Sequence, residues 1–331
     1  MRLNGGIIAP ALLTGKSGRL KVSDRKALAA PPITFGTLYA MLTVSRRHML
    51  KTFLSGVTAA SASPAVSLLR ERQSNPTQRK GRIRQSVARW CYKEIPLDKL
   101  CAYGAEIGLK AVDLLGPEEY EVPGRYGLVC SMGYASAGEI PNGLNRVENH
   151  PKIEEGFRKY IPLAAKAGVP NVITFSGNRN GMSDDEGAKN TIAGLNRVKK
   201  IGEDHDVTIC LELLNSKVNH KDYMCDHTAW GVQVIQAINS PRVKLLYDIY
   251  HMQIMEGDLI ATIQKNIEWI AHFHTGGVPG RHELDGTQEV QWDGVMRGIA
   301  ATNFRGYVAH EFVSVRDPLT SLRQAVDLCD V

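Results

Sequence analysis

From residue 86 to the carboxyl terminus, short apolar runs alternate with longer stretches in which apolar residues return every three or four positions. The first run, 86–90 (SVARW), precedes a helical pattern over about 96–107 that Gly108 stops, because glycine readily takes the left-handed backbone that ends a helix. Runs at 110–115, 127–132 and 171–176 read as the second, third and fourth strands. Helices are expected over about 151–167 and 183–204. The latter opens on Ser183 with Glu186 three residues on, the spacing of a capping box. Strand five is 207–212, and its helix, about 225–239, is broken by Ser240 and Pro241. The run VKLLY (243–247) leading to Asp248 is the sixth strand, apolar enough to be buried on both faces. A helix over about 257–270, a strand at 271–275, a helix at 292–302, a strand at 307–312 and a helix opened by Pro318 complete the series.

Eight strands, each followed by a helix except where PEEYEVPGRYG is broken by proline and glycine after the second, fill the 246 residues from 86 to 331. That count and length are those of an α/β protein of the (β/α)8 TIM barrel class. An open doubly wound sheet would place a glycine-rich phosphate turn after its first strand, and WCYKEIPLD has none.

Charge changes the picture of the amino terminus. The formal net charge is +6, but residues 1–85 hold fifteen Lys/Arg against two Asp/Glu, while 86–331 hold 25 Lys/Arg against 32 Asp/Glu. The basic character belongs to the leader, and a mildly acidic folded part argues against a nucleic-acid partner. Ser45-Arg46-Arg47-His48-Met49-Leu50-Lys51 resembles a twin-arginine export signal, with Met49 where the pattern has Phe. A small-residue apolar tract follows, with Ala60-Ser61-Ala62 placed as a cleavage site. The resemblance implies export, to the periplasm, with a cytoplasmic protein as the alternative. On this reading 1–62 is the signal region, 63–85 a linker and 86–331 the catalytic barrel, with Met1 and Met41 both open as the start. No run of about 18 apolar residues marks a transmembrane helix. The six cysteines show no metal-finger spacing, and Cys130 and Cys210 read as small buried hydrophobes.

The chemistry lies at the strand ends. Strands five to eight close on Glu212, Asp248, the pair His272 and His274, and Glu311, and in such a barrel the carboxyl ends of the strands converge on one mouth. Two like charges about 4 Å apart repel by about 4 kcal/mol at an effective dielectric near 20. Three carboxylates therefore call for a cation. Oxygens with one imidazole suit Mn²⁺ or Mg²⁺ first, with Co²⁺ or Zn²⁺ compatible. Spacing does not choose between His272 and His274, which share a strand face. His310 points to the other face and reads as structural. His251 follows the sixth strand directly and reads as functional, whereas Arg281 stands in a turn-like loop where a solvated cation and a ligand contact are equal readings.

The segments LELLN (211–215), LLYDIYHMQIMEGDL (245–259), HFHTGGVPGRHELD (272–285) and GYVAHEF (306–312) resemble the hydroxypyruvate isomerase group of the xylose-isomerase-like barrels, with the ketose 3-epimerases as neighbours. The resemblance implies a metal bound by Glu212, Asp248, His274 and Glu311, with Glu212 and Glu311 as the acid/base pair and His251 and Arg281 holding substrate oxygens. It implies proton transfer through an enediolate on a small hydroxycarbonyl or sugar substrate. The alternatives on the same barrel are a 3-epimerase, an inosose-type dehydratase and a non-catalytic sugar-binding protein; none of the acids that the last would lose is missing. The epimerases carry another Glu beyond the Glu212 position, where this chain has Ser216, Lys217, Val218, Asn219 and His220. A homo-oligomer is left open by the sequence.

Overall fold

The computed structural model describes residues 79–135 and 138–331, so the twin-arginine motif and the cleavage site lie outside the described residues. Eight parallel strands close in sequence order into a barrel. They are β1 (Arg84–Ala88), β2 (Ala111–Leu115), β3 (Val129–Tyr134), β4 (Asn171–Thr174), β5 (Thr208–Leu213), β6 (Val243–Asp248), β7 (Ile270–Thr275) and β8 (Tyr307–His310). Around them run α1 (Leu97–Ile107), α2 (His150–Lys166), α3 (Asp184–His205), α4 (Thr228–Ile238), α5 (Ile249–Met255), α6 (Leu259–Asn266), α7 (Trp292–Ala300) and α8 (Pro318–Leu328). β2, β4 and β5 are buried along their whole length, as strands covered by side chains inside and helices outside must be. After β2 the chain makes only a 3-10 turn, Pro123–Tyr126, as the broken sequence there required.

Several boundaries differ from the sequence reading, each for a local reason. β1 takes in Arg84 and Gln85, which were read as linker, and stops at Ala88 because Arg89–Tyr92 wind into a 3-10 turn. The expected helix up to residue 270 ends at Asn266 and tightens to a 3-10 turn before Ile270 joins β7. α5 was not expected at all: at seven residues it is too short to show a helical period. Its start is set by Asp248, whose side chain accepts the His251 N–H at 3.2 Å.

Register positions the site. Asp248 pairs with His274 across β6 and β7, and Glu212 lies beside Leu246 across β5 and β6. Thr275 pairs with His310, and the Glu311 N–H continues the ladder to the Thr275 carbonyl at 3.0 Å. His310 faces away from the interior as expected, 2.8 Å from Gln85 Oε1, and burial pushes its pKa down to about 3. All six cysteines are free, with Cys130 and Cys210 buried.

The capping box shows its first half. Ser183 Oγ accepts the Glu186 N–H at 3.2 Å, and Asp184, Asp185 and Glu186 place negative charge at the positive end of α3. Ser183→Ala should lower stability by about 1 kcal/mol, read as a drop in the urea midpoint with an unchanged slope.

Candidate metal centre

Glu212 comes from β5, Asp248 from the last position of β6, His274 from β7 and Glu311 from the residue after β8. All four are buried, and one ligand atom from each lies within 4.8 Å of all the others. His274 Nδ1 is 2.5 Å from Glu311 Oε2, 3.2 Å from Glu212 Oε1 and 4.0 Å from Asp248 Oδ2. The two histidines of β7 have different surroundings. His274 faces the acids, while His272 lies deeper, its Nε2 3.2 Å from Asp113.

Burial and charge pull these groups apart. Burial raises the Glu212 carboxyl to about 7 and raises Asp248 as well, against the pull of Arg281. At Glu311 burial acts the same way, but the Arg281 guanidinium and His274 outweigh it and hold the carboxyl at about 2. Burial would depress His274, yet the surrounding carboxylates, Glu311 first, push it well above the usual imidazole range. The raised Glu212, Asp248 and His274 report a dry, negatively charged pocket, and the lowered Glu311 reports the two cations set against it.

The donor set fits a divalent cation. His274 Nε2 lies 2.8 Å from Asp113 Oδ2, whereas Nδ1 is buried without a hydrogen-bond partner: its carboxylate contacts are short but poorly aligned for N–H···O bonding. Three carboxylates and one ring nitrogen therefore point at a shared centre, with hard oxygens in the majority.

Arg281 and His251 join the cluster, so the loop reading of Arg281 as a solvated cation gives way. Arg281 Nη2 donates to Asp248 Oδ2 at 2.8 Å and to Glu311 Oε2 at 2.5 Å, and Nε donates to the Glu311 carbonyl at 3.0 Å. Its guanidinium lies over the Trp90 and Tyr250 rings. His251 is fully buried, with Nε2 3.0 Å from Arg281 Nη1 and Nδ1 2.6 Å from Asn215 Nδ2.

Sequence reasoning missed three further members. Trp90 Nε1 donates to Glu311 Oε1 at 2.5 Å; Asn215 backs His251; Asp113 backs both β7 histidines. Asp113 carried a signal, an acid in the middle of the apolar run AVDLL. Trp90 and Asn215 carried none beyond standing at strand ends. The cluster opens on a cavity of about 470 Å³ whose wall includes Trp90, Tyr134, Phe175 and His220. Two clefts of about 580 Å³ lie elsewhere, one at the opposite end of the barrel and one between α4 and α6. Chemistry rather than size singles out the smaller cavity, since neither larger cleft reaches the cluster.

Comparison with known proteins agrees with this architecture. Residues 125–330 match the family described as xylose isomerase-like TIM barrel. A putative hydroxypyruvate isomerase from Homo sapiens is 23% identical over 238 residues, 70% of this chain and 80% of that protein. A 2-oxo-tetronate isomerase from Cupriavidus necator is 24% identical over 227 residues, 65% of this chain and 86% of that protein. The crystal structure of a family 2 AP endonuclease from Brucella melitensis superposes with a TM-score of 0.64 at 23% identity, covering 72% of this chain and 97% of that one; at this identity the likeness is one of fold. The family match spans more than half of the chain, and the protein belongs to the xylose isomerase-like TIM barrels.

Proposed function

We propose that the protein moves a proton next to a carbonyl, interconverting a small hydroxy-ketone and hydroxy-aldehyde through an enediolate, with a divalent ion held by Glu212, Asp248, His274 and Glu311. Isomerases and epimerases are its relatives, and it is an enzyme of that kind. The observation that carries the finer reading is the convergence of those four donors on one buried point. When bound, the ion would supply Lewis acidity toward the substrate carbonyl.

The remaining work falls to side chains. Glu212 and Glu311 reach the cluster from different strands, so one can take a proton from a substrate carbon and the other return it. Glu212, raised to about 7 by burial, is the better match for carrying a proton near neutrality. Trp90 and Arg281 keep Glu311 ionised and fixed.

His251 is set up to hold a substrate oxygen. Asn215 Oδ1 accepts two backbone N–H groups, from Val218 at 3.0 Å and Asn219 at 2.8 Å, so its amide nitrogen is the atom that faces His251 Nδ1. Burial lowers the His251 pKa and keeps the ring neutral, and a neutral ring has one N–H. With Nδ1 accepting, Nε2 carries the hydrogen. Arg281 Nη1–H is aimed at Nε2 from 3.0 Å, so two donors oppose each other there, and an acceptor oxygen of the substrate entering between them would satisfy both.

A longer substrate has specific support. A three-carbon acid fills a small part of the 470 Å³ cavity, and the aromatic wall of Trp90, Tyr134 and Phe175 is suited to the apolar face of a sugar, which favours a sugar-sized substrate.

Three outcomes test these readings. Incubation with Mn²⁺, hydroxypyruvate and a panel of ketoses in D₂O should place deuterium on the carbon next to the carbonyl, and EDTA should abolish it; no exchange on any substrate would remove the proposal. Glu212→Gln should slow exchange by about 10²-fold or more, measured by NMR under saturating metal. In Asn215→Asp the new acceptor should move the His251 hydrogen to Nδ1, visible in its ¹⁵N shifts, and weaken substrate binding.

A further inference from the structure

Below the four-residue cluster runs a buried polar chain that the chemistry above does not use. Asp113 stands in β2, whose neighbours in the barrel are β1 and β3, so its contacts with the histidines of β7 cross the barrel interior. Its Oδ2 lies 2.8 Å from His274 Nε2 and 3.2 Å from His272 Nε2. Its Oδ1 accepts from Ser131 Oγ at 2.6 Å, and Ser131 Oγ lies 2.7 Å from Ser86 Oγ. Asp113, Ser131, Ser86, His272 and His274 are all fully buried. A barrel interior is ordinarily filled by branched apolar residues, and a charge placed there is costly unless it is paired and hydrogen-bonded. The carboxylate therefore calls for a reason, and stability alone is a poor one, since apolar replacements of buried ionic groups are often neutral or stabilising.

The geometry supplies the reason. In the neutral form that a metal ion requires, an imidazole that gives its one N–H to Asp113 through Nε2 has a lone pair on Nδ1, and Nδ1 is the atom turned toward Glu212, Asp248 and Glu311. The other tautomer would turn an N–H toward the acids and could not ligate a cation. Asp113 also fixes the rotation of the ring, which stands edge-on to His272 at a centroid distance of 5.2 Å. Ser131 in turn holds the carboxylate from behind, so the chain orients one nitrogen from three residues away.

We infer that Asp113, braced by Ser131, is a positioning residue for metal capture: it selects the His274 tautomer and aims Nδ1 at the centre of the acids. The inference rests on the metal-dependent reading and goes beyond it by assigning a residue from β2 that touches neither the proposed ion nor the substrate.

The test is Mn²⁺ or Co²⁺ affinity of the full chain, measured by competition with a chromophoric chelator, together with melting of the metal-free protein. Asp113→Ala should lower affinity by about 10- to 100-fold. Asp113→Asn, which keeps the shape and one acceptor oxygen, should fall between it and the wild type, and Ser131→Ala should show a smaller loss. Should the alanine variant at 113 fail to fold, the other two carry the test. A purely structural Asp113 would shift the metal-free melt and leave the affinity of the folded variants unchanged, and that result overturns the inference. Failure of the wild type to bind either ion would instead remove the metal-dependent reading itself.

Discussion

Three carboxylates in a dry pocket demand positive charge between them, and much of the barrel mouth is arranged around that demand. Desolvation alone would put protons on Glu212, Asp248 and Glu311. Instead the guanidinium of Arg281 bridges Asp248 and Glu311, and the ring of His274 is drawn toward the cationic form. The cluster is thus a group of donors that could hold a cation. A divalent ion with room for oxygen and nitrogen ligands would meet all four donors at once, which one side-chain charge does not.

The barrel is what brings the four groups to one level. Each sits at or just past the carboxyl end of a consecutive strand, and the parallel register from β5 to β8 places them side by side. The loops supply the rest. Arg281 adopts a left-handed backbone, φ +59°, in the turn after β7, and that conformation lets its side chain fold back over the mouth rather than extend into solvent.

Strand ends were the legible part of this molecule. A single acid or histidine that closes an apolar run has ordinary structural uses, but three carboxylates and a histidine in series on strands five to eight marked the mouth. What the sequence withheld has physical causes. Asp113 lies mid-strand, and its role appears only when β2 and β7 face each other across the closed barrel, a relation no linear pattern expresses. His272 and His274 differ in depth along one strand, which a period of two cannot register. α5 is too short for periodicity, and Arg281 stood equally as a loop cation or a ligand contact because its partners are distant in the chain. The helix boundaries erred where a final turn tightened to 3-10 geometry, as at Ile267–Trp269.

Asp248 serves two masters. One of its oxygens ties down the first turn of α5 by way of the His251 amide, and the other looks into the acid cluster, where Arg281 meets it. Acid cluster and helix start are therefore mechanically joined at one side chain. A change at this position would disturb both the acid cluster and the turn that carries His251, so the two contributions are inseparable by mutagenesis there.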